Sequence, residues 1–266
     1  MQISGQLTKM RAVIGPEQVE YQLMLNGVAT DLNQFIGSYV RLRFLNEIRC
    51  VDCGKMTKSS FAEGFCYSCF SDSANNSPCI IRPELCEGHL GKGRDIDWEK
   101  NHHVQEHAVY LAMSSEIKVG VTRSTQVPTR WIDQGATAAI VLARVPYRQL
   151  AGVIEVALKE YLTDKTSWQK MLKNEVADFI LDDEKWRIAD MLPRDMQQYI
   201  CEQDTLVHIN YPVLEYPKKV VSMNFTKIPD IEGRLMGIKG QYLLFDNGRV
   251  LNIRSHSGYV VEFSVG

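Results

Sequence analysis

The sequence predicts an α+β protein, with short-strand modules at both ends and a mixed α/β segment between them. Three observations carry that expectation: apolar and polar residues alternate in residues 1–48 and 205–266, four cysteines fall in two tight pairs after the first module, and strand and helix periodicities interleave over residues 104–182. A 266-residue chain that is 45% hydrophobic can bury a sizeable core and hold several modules. The formal net charge of −2, from 30 basic and 32 acidic side chains, gives no bulk attraction to nucleic acid. Such binding would need a local patch with few phosphate contacts. No apolar run reaches membrane-spanning length.

In the N-terminal β module, residues 1–48, the runs Gln2–Met10, Glu20–Leu25 and Tyr39–Ile48 read as strands broken at Gly15-Pro16, Asn26-Gly27 and Gly37. Residues 49–103 form the next segment. There, Cys50-x-x-Cys53 and Cys66-x-x-Cys69 each space two thiolates for one tetrahedral ion, and the pattern is that of a closed structural zinc ribbon. Two disulfides, or unligated buried thiols, are the rival readings of these cysteines. Disulfides need an oxidising compartment, whereas the opening Met-Gln-Ile-Ser-Gly-Gln has neither the basic nor the apolar region of a secretory signal. The expectation is therefore reduced, zinc-bound cysteines in a cytoplasmic protein.

Residues 71–101 contain prolines and glycines but few periodic apolar residues, so a core cannot hold them. Cys79, Cys86, His89 and one of His102, His103 and His107, with His103 the choice, offer a second zinc site that would staple this stretch. The alternative is two buried thiols and a solvent histidine.

From Val104 the pattern changes. Ala108–Ala112 and Ile117–Thr122 read as a hairpin, Val127–Gln134 as a helix starting at Pro128, Ala138–Arg144 as a strand and Tyr147–Leu162 as a long helix. On that helix Leu150, Ile154, Ala157, Leu158 and Tyr161 form one apolar stripe, with Glu155 at its border and Lys159 and Glu160 pointing away. Residues 183–204 suggest a helical linker divided at Pro193. The final module, 205–266, reads as antiparallel strands with a turn at Asp246-Asn-Gly248. Walker, GxSxG and HExxH motifs are absent from the sequence, so NTPase, elbow-type hydrolase and zinc-protease readings have no support.

The order of Tyr110 on a strand, Gly120 and Thr122 on the next, Arg130 on a helix, then a strand and a helix with Glu155, resembles the core of GIY-YIG endonucleases. Ala108-Val-Tyr110 stands where that superfamily has Gly-Ile-Tyr, and Lys118-Val-Gly120 where it has Tyr-Ile-Gly; a phage-related branch carries a similar Lys-Ile-Gly-Ile-Thr run. The resemblance covers residues 106–165. It implies Tyr110 and Lys118 near the attacking water, Arg130 on the phosphate, and Glu155 on a Mg2+ or Mn2+ ion, with DNA or RNA as substrate. The chemistry fits: phosphodiester cleavage needs an aligned nucleophile, a cation for the phosphoryl oxygens and a hard metal ion for the leaving oxygen. In this chain the gap from Gly120 to Arg130 is long, and Asn174 is the one candidate for the superfamily's late Asn. Arg123 and Lys239 are further candidate nucleic-acid contacts. The alternative is a non-catalytic zinc-ribbon adaptor for RNA, a ribonucleoprotein or a protein partner.

Taken end to end, the chain is also similar to the bacterial family of domains of unknown function numbered 2797. Carrying this are the four paired cysteines, Cys79-x6-Cys86, Val109-Tyr-Leu-Ala112, Lys118–Thr122, Pro128–Ala136, Glu155–Leu158 and Gly237–Tyr242. That resemblance implies no activity.

Overall fold

Leu7, Met10 and Ala12 are the buried apolar side chains of the first strand, and their spacing changes phase after Leu7. The change coincides with a register shift between Thr8 and Arg11 against the second strand, where a bulge re-aims the side chains. The computed structural model describes residues 1–162 and 167–266. In chain order it runs β1 (Gln2–Ile14), β2 (Val19–Leu25), β3 (Val28–Asp31), β4 (Tyr39–Ile48), α1 (Tyr67–Asp72), α2 (Ile96–His102), β5 (His107–Met113), β6 (Ile117–Arg123), α3 (Thr129–Asp133), β7 (Ala138–Val145) and α4 (Arg148–Lys159). It continues through α5 (Trp168–Leu172), α6 (Leu181–Ala189), α7 (Arg194–Gln197), β8 (Val207–His208), β9 (Val221–Met223), β10 (Asp230–Lys239), β11 (Tyr242–Phe245), β12 (Arg249–Asn252) and β13 (Tyr259–Val265). No described helix is long and apolar enough to cross a membrane.

The chain divides into two units, Met1–Ser73 with Asn210–Gly266, and Ala74–Ile209. This regroups the five segments read from the sequence. The terminal modules are one nine-stranded sheet, ordered β3-β2-β1-β13-β4-β10-β11-β12-β9. Its last strand, β13, lies between β1 and β4, antiparallel to both. Leu42, Val261 and Phe263 are fully buried there. The turn at Asp246-Asn-Gly248 joins β11 to β12, with Asn247 and Gly248 both at positive φ, and β12 pairs with β9 in parallel.

The second unit holds a four-stranded sheet, β6-β5-β7-β8, in which β5 is antiparallel to both β6 and β7. Every residue of β5 is buried, as befits a central strand covered on both faces. Val109, Leu111, Val119, Leu142, Ile154, Leu158 and Ile188 form its main core, so α4 and α6 cover one face. Tyr110 faces the other way, by strand alternation, and meets Trp131 of α3 at a ring separation of 6.0 Å. Gly135, at φ +71°, ends α3 as a left-handed cap. Tyr161, expected on the apolar stripe, lies beyond α4 and is exposed. Residues 163–165, the last of the stretch resembling the endonuclease core, lie outside the described residues.

Candidate functional site

Two groups of side chains have metal-ligand geometry. In the first unit, the backbone N–H of Gly54 bonds to Cys50 O at 3.0 Å, that of Cys50 to Lys55 O at 2.9 Å, and Gly54 takes φ +72°. This closes a knuckle around Cys50 and Cys53. The second pair is built differently, because Cys66 is the N-cap of α1 and Cys69 lies within that helix. The four-cysteine group expected from the sequence is thus made from one knuckle and one helix start. Phe61 packs on Tyr67 and Phe70, each at 5.7 Å, in place of a larger core. Cys50, Cys53, Cys66 and Cys69 converge with all four sulfurs within 4.8 Å of one another.

Zinc–sulfur bonds of about 2.3 Å at tetrahedral angles place sulfurs about 3.8 Å apart. Cys53 and Cys66 are separated by 3.8 Å, far beyond a disulfide bond, and all seven cysteines are free. Burial raises the Cys50 thiol's pKa, but backbone N–H groups of Cys53, Cys66 and Asp52 outweigh it and bring it to about 7. Burial and neighbouring sulfurs push Cys69 up. The quartet therefore favours thiolate at the end braced by backbone donors, which prepares it for a cation.

In the second unit the converging group is Cys79, Cys86, Glu99 and His103, all buried. Nδ1 of His103 is 3.5 Å from Cys86 Sγ and 3.8 Å from Cys79 Sγ, and Cys86 Sγ is 4.0 Å from Glu99 Oε2. Sulfur–nitrogen edges of a zinc tetrahedron are about 3.6 Å. Cys79 and Cys86 come from 3-10 turns that start at Pro78 and Pro83. Glu99 and His103 lie one turn apart at the end of α2, whose N-cap, Asp95, accepts the Trp98 N–H at 2.9 Å. A hydrogen bond from Cys79 and the neighbouring His103 hold the Cys86 thiol at about 4 against burial.

His89, expected as a ligand, is corrected to Glu99. Its ring instead stacks on Tyr147 at 4.4 Å and 6°. Glu99 fits because Gly88 and Gly93 face it: a β-carbon at Gly88 would lie 3.2 Å from Glu99 Oε2, and one at Gly93 would overlap the Glu99 side chain. Glu99 and His103 recur at a Glu-x-x-x-His spacing on a capped helix, a pattern too common on helix surfaces to mark the carboxylate as a ligand by itself.

The third cluster centres on Tyr110. Its partner across β5 and β6 is Gly120, and a β-carbon there would lie 2.5 Å from the Tyr110 hydroxyl. Gly120 thus admits the phenol over the neighbouring strand. Burial raises the Tyr110 pKa; the Arg130 charge lowers it and, more weakly, the Glu155 charge raises it, so the phenol feels both charges. Tyr110 Oη, Trp131 Nε1 and Gln134 Oε1 are buried and have no hydrogen-bond partner among the described residues. Glu155 is largely buried on α4, which raises its pKa, and Lys159 lies 3.6 Å away as a partial counter-ion. The expected outward Lys159 therefore turns back along the helix. Lys118, opposite Ala112, shares the sheet face of Tyr110, whereas Arg123, opposite His107, lies on the other. Asn174 adopts φ +59° after α5, a turn geometry that accounts for an asparagine.

Lys239 is a correction. It is fully buried, its amine 5.3 Å from the ring centres of both Tyr211 and Tyr216, and burial lowers its pKa to about 7. A side chain so enclosed cannot meet a phosphate backbone.

Residues 37–261 match the family model described as "Protein of unknown function (DUF2797)". The chain belongs to this family. No curated protein and no solved structure matches it. The family match begins in the turn before β4 and takes in both cysteine groups and the Tyr110 cluster.

Proposed function

We propose that this DUF2797 protein binds two zinc ions and uses the Tyr110 cluster to bind nucleic acid and, with a divalent cation, to cleave it. The observation that supports this reading is a Tyr110 phenol, seated over Gly120, that feels the charges of both Arg130 and Glu155. In the proposed reaction Arg130 neutralises a phosphoryl oxygen, Tyr110 orients the attacking water, and Glu155 holds a Mg2+ or Mn2+ ion near the leaving oxygen. The Trp131 N–H, which has no partner among the described residues, and the Gln134 side chain add polar groups beside the phenol. The two zinc ions are structural in this reading. Each of their ligand sets has four protein donors, and a closed site leaves no position for substrate.

The non-catalytic adaptor reading draws on a different observation. The Tyr110 hydroxyl is enclosed, and Glu155 already has Lys159 beside it, so binding could persist where cleavage is weak.

Cleavage of labelled single-stranded and duplex DNA and RNA, with Mg2+ or Mn2+ added to the zinc-loaded protein, separates the two. Nuclease action predicts product with wild type and none with Glu155→Gln, at unchanged zinc content and fold. Binding without product across these substrates and metals assigns the adaptor role.

A further inference from the structure

Arg148, the first residue of α4, contributes no ligand to the Cys79–Cys86–Glu99–His103 group, yet holds its backbone. Its Nε donates to Cys79 O at 3.0 Å and its Nη2 to Ile80 O at 2.9 Å. Its own backbone N–H donates to His103 O at 2.9 Å. The carbonyls of two metal ligands, one from each half of the site, are thus bound by one residue. A planar guanidinium suits this task because it can direct two N–H groups at adjacent carbonyls.

The contact continues one turn on. A β-carbon at Gly152 would overlap the backbone of Pro83 and Glu84, so α4 lies directly against the turn between Cys79 and Cys86. Residues 148, 152 and 155 recur at helical spacing on one face, and Glu155 feels the charges of both Glu84 and Arg148. The metal loop, Arg148 and Glu155 therefore form one packed line along α4.

We propose that the metal bound by Cys79, Cys86, Glu99 and His103 anchors α4, with Arg148 as the positioning residue that transmits the anchorage toward Glu155. Its consequence for cleavage rests on the nuclease reading of Glu155; the anchorage itself does not. Without the metal, four ligands spread over 25 residues lose their common centre. The carbonyls of Cys79 and Ile80 then have nothing to hold them in register with the guanidinium.

Hydrogen exchange of the full-length zinc-loaded chain, read by mass spectrometry over residues 148–159, tests this alongside zinc analysis. Arg148→Gln should keep two zinc equivalents while α4 amides exchange about tenfold faster, because the fork alone is lost. Arg148→Lys should resemble Arg148→Gln, since a point charge cannot span both carbonyls. Cys86→Ser should lose one zinc equivalent and loosen α4 to at least the same degree, whereas Cys53→Ser should lose its zinc and leave α4 unchanged. Should Cys86→Ser fail to fold, stepwise chelation of wild type supplies the arm: exchange in α4 should rise as the second equivalent is removed. Wild-type protection of α4 in Arg148→Gln, or in protein stripped of that metal, overturns the proposal. Neither readout involves nucleic acid, so a failure of the nuclease reading shows separately, as absent binding or cleavage with α4 still metal-anchored.

Discussion

The two cysteine groups solve one coordination problem in opposite ways. The quartet in the first unit uses two short Cys-x-x-Cys segments, with Cys53 exposed and Cys66 and Cys69 half-buried, on a module with a thin aromatic core. The group in the second unit draws one ligand each from two proline-started turns and two from a helix, and buries all four. In the first, local sequence prepares the ligands and the metal organises a small surface module. In the second, tertiary packing prepares them, and the metal holds a long irregular segment against α4. Ligand spacing thus reports how locally a site is made, while burial reports how much of the fold depends on it.

The largest expected effect breaks the deeper site. Cys86→Ser should lower stability of the second unit by about 4 kcal/mol, because it removes a metal and leaves the remaining buried ligands uncompensated. Cys53→Ser should cost the second unit nothing measurable. Limited proteolysis within residues 74–103, compared between the variants, checks both statements.

His107, on the same sheet as the deeper site's unit, gives the next effect. Its ring is buried, Nδ1 bonds to Gln105 O at 2.7 Å, Nε2 has no partner among the described residues, and burial depresses its pKa to about 4. An unfolded histidine titrates near 6.5, so the unfolded state binds the proton first as pH falls. The stability contribution of the neutral ring is present above about pH 6.5 and is lost toward pH 4, by roughly 2 kcal/mol at pH 5. Urea midpoints at pH 7 and pH 5 should therefore differ less in His107→Gln than in wild type.

A smaller effect tests whether the Tyr110 cluster is placed as described. Gly120→Ala should cost about 2 kcal/mol through overlap with the phenol hydroxyl. Tyr110→Phe should recover part of that loss in the double variant, read as a coupling energy in thermal unfolding. Additivity would mean that the hydroxyl does not lie over Gly120. The smallest effect is a control: Glu160→Gln, beyond the last turn of α4 and exposed, should change stability by less than about 0.5 kcal/mol and leave nucleic-acid binding unaltered.

The same contrast explains what the sequence could reveal. Cys50, Cys53, Cys66 and Cys69 were legible because a two-residue gap is itself a geometric statement. Glu99 was not, because a carboxylate on a helix surface and one turned inward by Gly88 and Gly93 look alike until the turns are packed. The hairpin of β5 and β6, the helix after Pro128 and the break at Pro193 followed from periodicity and proline. The union of the terminal modules did not, since no local pattern says that β13 inserts between β1 and β4. Lys239 misled for a related reason: Gly237-Ile-Lys-Gly suggests a turn presenting a cation, but β10 runs through it and Tyr211 and Tyr216 enclose the amine. Arg130 and Glu155 are proposed from the order of elements, whereas Arg148, whose side chain binds backbone carbonyls, carries no motif.

Equilibrium binding of fluorescent single-stranded and duplex DNA and RNA to wild type and Arg130→Ala, at low salt and with zinc content verified, tests the central claim most directly. The account predicts binding of at least one probe, a shallow loss of affinity with salt that reflects few phosphate contacts, and a drop of about tenfold or more in Arg130→Ala. Equal affinity of the two proteins, or no binding of any probe by the folded, zinc-loaded wild type, would contradict it.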